Sequence, residues 1–209
     1  MRIAILFSGR IQQFERCYYN ILKYIKINDN NEIDFFLSHS PDLNEDLESF
    51  KKIFKPKLMI NEPITYFDHT KYPKYCHYQG HNTMCMFINR LRVFKLLETF
   101  INTTPTSYDL VISYRTETIL NKNLNFQWFN QLNENTIYIP EGNDWWGGLN
   151  DQLAFGTYDS MKIYLSLYEE LKQMLDNGCV FHPETILRHY LNIKNINVIR
   201  IPLEYKLVL

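Results

Sequence analysis

Four short polar segments of the sequence combine residue types that could do chemistry. The first, Ser8-Gly9-Arg10, follows an apolar run near the start of the chain. A flexible glycine, backbone N–H groups close to the start of a helix and a guanidinium together suit a diphosphate. The alternative is a structural turn with an arginine at the surface. The segment has neither the spacing of a dinucleotide-binding loop nor that of a P-loop, so neither class of protein is predicted.

The second segment, Arg115-Thr116-Glu117, also ends an apolar run. Glu117, with another acidic residue close by, could hold Mg²⁺ or Mn²⁺ against phosphate oxygens, whereas Arg115 could bind a diphosphate directly. An Arg–Glu ion pair at the edge of a sheet is the alternative. In the third segment, His182-Pro183-Glu184, His182 is a weaker candidate for a metal ligand. Glu184 lies at the positive end of the helix dipole, and a helix-capping role alone could explain a glutamate at this position.

The fourth segment is part of DWWGGLNDQLAFG, residues 144–156. Trp145 and Trp146 offer flat apolar faces of the kind on which a sugar ring stacks, and the following glycine pair allows the backbone to approach a ligand closely. Asp151 could accept a proton from an attacking hydroxyl. The alternative is a turn anchored by tryptophan, with the aspartate capping a backbone N–H. We favour the functional interpretation because stacking surfaces, flexibility and a carboxylate occur together.

Alternating strands and helices should bring these segments together. Apolar runs predict strands, and apolar spacing of three and four residues predicts helices. The predicted strands are 3–7, 33–40, 57–61, 108–115, 136–140 and 196–203, and the predicted helices are 13–25, 43–54, 82–100, 126–132, 159–175 and 182–191. The opening β-α-β-α-β order predicts a single α/β domain, with a mixed, mostly parallel sheet flanked by helices. Ligands of such sheets bind beyond the carboxyl ends of the strands, where Ser8, His39 and Arg115 fall.

Composition excludes several classes of protein. The chain has 209 residues, enough for one domain, and a net charge of −1 without a basic stripe, which argues against nucleic-acid binding. We find no run of about 20 apolar residues that would span a membrane. The four cysteines show no CxxC spacing, and residues 3–7 form too short an apolar run for a signal peptide. We therefore expect a soluble cytoplasmic protein with reduced thiols.

The order of the motifs resembles a loosely defined family of small glycosyltransferases from bacterial capsule and lipopolysaccharide clusters and from large DNA viruses. The similarity rests on ILFSGR, IDFFLSHS, YDLVISYRTE, IYIPEG, GLNDQLAFG and HPETILRHYL, which occur in the family's order over most of the chain. It implies a GT-A-like, or Rossmann-like, fold with a nucleotide-binding half (1–117) and an acceptor and donor-sugar half (118–209). The cytoplasm would be the host's if the protein is viral.

The resemblance also implies roles for individual residues. The donor would be a nucleotide-diphosphate sugar and the acceptor a glycan or glycoconjugate hydroxyl. Asp151 would be the base if the reaction inverts, whereas a retaining enzyme would use it differently. Glu184 would join the two tryptophans on the acceptor side. The implied donor-binding residues are Ser8, Gly9, Arg10, Arg115, Glu117 and Asn150. The usual DxD triplet is absent, so dependence on Mn²⁺ or Mg²⁺ stays open.

Two other functions compete with this interpretation. A methyltransferase that uses S-adenosylmethionine would be expected to have a glycine-rich first loop and an acidic residue after the second strand. The chain has one glycine at the first position and His39 at the second, which argues against this activity. A non-catalytic module that binds nucleotide sugars or carbohydrate remains open.

Overall fold

A computed structural model describes residues 1–25, 31–41, 45–72, 80–124, 128–129 and 132–208 of the chain. The strands are β1 (Arg2–Gly9), β2 (Glu32–His39), β3 (Leu58–Asn61), β4 (Leu110–Tyr114), β5 (Thr118–Leu120), β6 (Thr136–Pro140), β7 (Leu153–Gly156), β8 (Asn197–Ile201) and β9 (Tyr205–Leu207). The helices are α1 (Phe14–Tyr24), α2 (Leu47–Phe54), α3 (Gly80–Thr103), α4 (Tyr158–Leu165), α5 (Leu167–Asp176) and α6 (Pro183–Ile193).

Seven of the strands form one mixed sheet in the order β3-β2-β1-β4-β7-β6-β8. Strands β3, β2, β1 and β4 are mutually parallel, and β6 is parallel to β8. Strand β7 lies antiparallel between β4 and β6. The predicted α/β class with a mixed, mostly parallel sheet is therefore confirmed. Strands β5 and β9 form a separate antiparallel pair.

Helices cover both faces of the sheet because the central strands are apolar on both sides. In β1, Ala4 and Leu6 belong to the core beneath α3, α4, α5 and α6, whereas Ile3, Ile5 and Phe7 belong to the core beneath α1 and α2. Successive side chains of a strand point to opposite faces, so a continuous apolar run is buried twice. This three-layer arrangement leaves the strand ends as the places where polar side chains can meet.

Some element boundaries differ from the sequence predictions. The predicted helix 159–175 is divided in two at Ser166, whose N–H bonds to the carbonyl oxygens of Lys162 and Ile163. Helix α2 begins after Asp46, which accepts a hydrogen bond of 2.9 Å from the Ser49 N–H. The predicted helix 126–132 lies largely outside the described residues. None of the described helices combines the length and the apolar character that crossing a membrane requires.

Candidate functional site

A cleft of about 580 Å³ opens at the carboxyl ends of β1, β2 and β4. Parallel strands end at the same edge of a sheet, which is where open α/β proteins bind ligands. The first half of α3 forms another wall. The polar residues that line the cleft include Ser8, Gly9, Arg10, Ser40, His81, Asn82, Asn89, Arg90, Ser113, Arg115 and Glu117. Five of the residues singled out from the sequence thus share one cavity.

The turn after β1 directs the chain across one side of this cleft. Gly9 has a φ of +96°, in the left-handed region that glycine adopts without strain. The Ser40 N–H, just beyond β2, bonds to the Gly9 carbonyl oxygen at 3.4 Å. The exposed Arg10 follows, and its carbonyl oxygen accepts a hydrogen bond of 3.2 Å from the Thr116 hydroxyl. The segments after β1 and β4 are therefore joined directly.

Arg115 and Glu117 form an ion pair within the cleft. The Nε of Arg115 donates to Oε1 of Glu117 at 2.7 Å, and Nη2 donates to the same oxygen. The Arg115 side chain is 35% exposed and the Glu117 side chain 16%. The ion pair considered as the structural alternative is present, and both of its members also line the cavity.

Arg90 is a further cleft residue that the sequence analysis did not identify. Its side chain is only 4% exposed, and its guanidinium carbon lies 5.7 Å from the Phe87 ring centroid and 5.6 Å from that of Tyr164. Nη2 donates to the carbonyl oxygen of Asp151, while Nη1 is buried without a hydrogen-bond partner among the described residues. The sequence did contain a signal for this residue. Phe87 and Phe94 lie on the core-facing side of the predicted helix, and Arg90 lies between them at the same helical spacing.

Asp151 lies against Arg90 and is not among the residues that line the cleft. It is 5% exposed, and its Oδ2 is 3.9 Å from Nη2 of Arg90. The neighbouring Asn150 is fully buried, and its side-chain amide donates to the Gly142 carbonyl oxygen at 3.0 Å and to the Tyr205 hydroxyl at 2.8 Å. Asn150 therefore holds the segment before β7 in shape and is also absent from the cleft lining.

The two tryptophans lie at the surface next to the start of α6. They form a single 3₁₀ turn, in which Trp145 is 60% exposed and Trp146 is 52% exposed. The Trp146 carbonyl oxygen accepts a hydrogen bond of 3.2 Å from the Thr185 hydroxyl. A Cβ atom at Gly148 would lie 2.2 Å from the carbonyl carbon of Glu184, so only glycine allows the turn to approach α6 this closely.

His182 and Glu184 form a buried pair at the start of α6. Nδ1 of His182 and Oε2 of Glu184 are 3.1 Å apart. Burial raises the pKa of Glu184 to about 7, and the negative charge of Asp151 acts in the same direction. Burial also lowers the pKa of His182 below its ordinary value. Glu184 can therefore keep its proton near neutral pH beside a carboxylate, a combination typical of sites that handle protons.

This mixed α/β architecture has a glycosyltransferase-like fold. The structure is similar to the apo form of the glycosyltransferase GlyE from Streptococcus pneumoniae TIGR4, with a TM-score of 0.52 and 14% sequence identity. The similarity covers 94% of this chain and 44% of GlyE, so the chain spans less than half of that protein's length. At this identity the likeness shows the fold alone. No protein family and no curated protein matches the sequence.

Proposed function

We propose that the protein is a GT-A-like glycosyltransferase that moves a sugar from a nucleotide-diphosphate sugar to a hydroxyl of a glycan or glycoconjugate. One observation carries the proposal: in a glycosyltransferase-like fold, an arginine-rich cleft lies at the carboxyl ends of the parallel strands. Its volume, about 580 Å³, falls within the range of small-molecule sites. Both the position and the chemistry of the cleft suit an anionic ligand.

The donor would bind with its diphosphate near the guanidinium groups. Ser8, Gly9 and Arg10 border the cleft from β1, and Arg115 and Glu117 border it from β4. Guanidinium groups bind phosphate through several N–H groups in a fixed plane, which favours arginine at such sites. Charge that develops on the leaving diphosphate would be stabilised by the same groups.

In the transfer step, the acceptor oxygen would form a bond to the anomeric carbon while the bond from that carbon to the diphosphate oxygen breaks. The acceptor's proton would pass to a base, for which Asp151 is our candidate in an inverting reaction. A retaining reaction would use Asp151 differently. Trp145, Trp146 and Glu184 would bind the acceptor, since the indole rings are exposed on a turn that contacts the start of α6.

One observation favours a second function, a non-catalytic module that binds nucleotide sugars. Asp151 is 5% exposed and absent from the cleft lining, whereas the arginines that would bind the donor do line it. A protein that only binds its ligand would need the arginines and not the base. The two functions therefore predict the same binding and different turnover.

A screen of UDP- and GDP-sugars by thermal shift tests both functions, because a ligand that binds only the folded state raises the melting temperature. Each compound that binds is then incubated with candidate acceptors, and release of the nucleoside diphosphate and the mass gain of the acceptor are measured. Transfer supports the enzyme, and binding without release or transfer supports the module. The absence of binding by any nucleotide sugar would contradict both.

A further inference from the structure

We infer that the cleft binds the diphosphate of its nucleotide without a divalent cation, and that Arg10, Arg90 and Arg115 supply the neutralising charge. The inference rests on the proposed function and concerns the same site. The family resemblance leaves open that Mn²⁺ or Mg²⁺ neutralises the diphosphate, whereas this inference assigns that role to the arginines.

The charges that line the cleft match a polyanion. Among the lining residues that the structure describes, three are arginines and one is a glutamate, so their formal balance is three minus one, or +2. A diphosphate ester carries negative charge on each phosphate, and clefts lined by one sign of charge concentrate ligands of the opposite sign. The arginines come from three different elements: the turn after β1, the helix α3 and the segment after β4. Positive charge is therefore supplied to the cleft by three separate parts of the chain.

The oxygen donors of the cleft do not fit Mn²⁺ or Mg²⁺. At phosphate sites these cations are bound through one or two carboxylates together with the phosphate oxygens of the substrate and several waters, so a carboxylate without a competing cationic partner must face the phosphates. Glu117 is the one carboxylate among the cleft-lining residues that the structure describes, and its Oε1 already accepts hydrogen bonds from Nε and Nη2 of Arg115. A cation bound there would lie against a guanidinium of the same charge. Over the described part of the chain, no group of three or more His, Cys, Asp or Glu residues could hold a metal.

Arg90 indicates that the site is built for an anion. A buried guanidinium is costly unless all its donors are paired, and here Nη1 has no partner among the described residues. The guanidinium carbon lies 5.7 Å from the Phe87 ring centroid and 5.6 Å from that of Tyr164, and the Asp151 carbonyl oxygen accepts a hydrogen bond from Nη2. Arg90 nevertheless lines the cleft. An anionic ligand would supply the missing acceptor, which a metal ion cannot do.

The first experiment uses the unaltered protein and measures the binding of UDP and GDP by isothermal titration calorimetry, once in EDTA and once in Mn²⁺. We expect the nucleotide that binds to show the same Kd in both buffers. Binding that requires Mn²⁺ would overturn the inference and leave the proposed function intact. Failure of both nucleotides to bind in either buffer would overturn the inference and the proposed function together.

Substitutions then test the source of the charge, with thermal unfolding recorded for each variant. Arg90→Gln and Arg10→Gln should each weaken binding in EDTA by about tenfold or more, because each removes a charge-assisted hydrogen bond. Added Mn²⁺ should not restore it. Arg188→Gln is the matched control, since Arg188 is exposed on α6 and outside the cleft. If Arg90→Gln fails to fold, the exposed Arg10 carries the test, and equal affinity of Arg10→Gln and the control would overturn the inference.

Glu117→Gln separates the two roles of the carboxylate. If Glu117 were a metal ligand, this variant would lose nucleotide binding in Mn²⁺. Without a metal role, the substitution removes the negative charge that competes with the diphosphate for Arg115, so binding should become severalfold tighter in EDTA and in Mn²⁺ alike. Weaker binding by Glu117→Gln in Mn²⁺ than by the unaltered protein would contradict the inference.

Discussion

Replacing Glu184 by glutamine should stabilise the protein at alkaline pH and leave its stability at acid pH nearly unchanged. The carboxyl group is buried at the start of α6, and burial together with the charge of Asp151 raises its pKa from 4.5 to about 7. In the unfolded chain the same group titrates near its ordinary value. Folding therefore forces this group either to keep a proton or to bury a charge.

The sign of the pH dependence follows from proton binding. Below the unfolded pKa both states are protonated, and the group has no effect on the free energy of unfolding. Between the two pKa values the folded state binds more protons, so stability falls as the pH rises, and the whole penalty is present above the folded pKa. A shift of about 2.5 pH units at about 1.36 kcal/mol each gives an upper value of about 3 kcal/mol. We expect Glu184→Gln to gain about 2 kcal/mol at pH 8.5 after allowance for residual solvation.

Urea unfolding of both proteins between pH 4 and pH 8.5 measures this difference. Glu15→Gln is the matched control, because Glu15 also lies in the first turn of a helix but is exposed. It should lose about 0.5 kcal/mol at alkaline pH through the helix dipole alone. A stability difference for Glu184→Gln that stays constant over this pH range, or that has the opposite sign at pH 8.5, would refute the reasoning.

Three further substitutions have expected outcomes. Asp151→Asn should abolish sugar transfer measured with a working donor while its thermal unfolding stays cooperative, and normal turnover would remove Asp151 from the mechanism. Gly148→Ala should lower stability in thermal melts by about 2 kcal/mol or more, because its Cβ would lie 2.2 Å from a backbone carbon of Glu184. Asp34→Asn should cost about 2 kcal/mol in urea unfolding at pH 7. Burial raises the pKa of Asp34, but hydrogen bonds from Arg2 and Tyr108 outweigh burial and hold this pKa below its usual value. The loss of stability should therefore shrink as the pH falls below about 4 and the carboxylate becomes protonated.

The parallel half of the fold could be predicted because its elements are locally distinct. β1 contains the apolar run 3–7 and β2 the apolar run 35–37, and α1 has a regular apolar stripe between them. The short strands could not be predicted in the same way. β5 and β9 have three residues each, and pairing between Thr118 and Leu207 defines them across a long stretch of chain. The antiparallel β7 has four residues and ends at Gly156, so its sequence carries little strand signal.

Part of the site could be predicted because several of its residues directly follow strands that the sequence predicts. Ser8, Arg10, Arg115 and Glu117 follow strands, and the geometry of a parallel sheet brings strand ends together. Arg90 was missed because it lies in the middle of α3, where its position between Phe87 and Phe94 indicates a core-facing side chain but not a cleft. Sequence periodicity places a helical residue on a face of its helix, but the meeting of that face with the cleft depends on how the helix packs over the sheet.

Arg90, Asp151 and Glu184 form a buried charged cluster. The strongest physical reason to connect this cluster with the cleft is the unfavourable free energy of burying its polar groups. Arg90 buries a donor without a described partner, and Glu184 is held far from its ordinary pKa, both beside Asp151. Apolar residues at such positions are often at least as stable as buried charges, so stability alone would not retain these groups. If the cluster has no role in the reaction, Glu184→Gln should raise stability at alkaline pH and leave turnover unchanged. If it serves the reaction, Glu184→Gln should raise stability and lower turnover together, as expected where activity and stability compete.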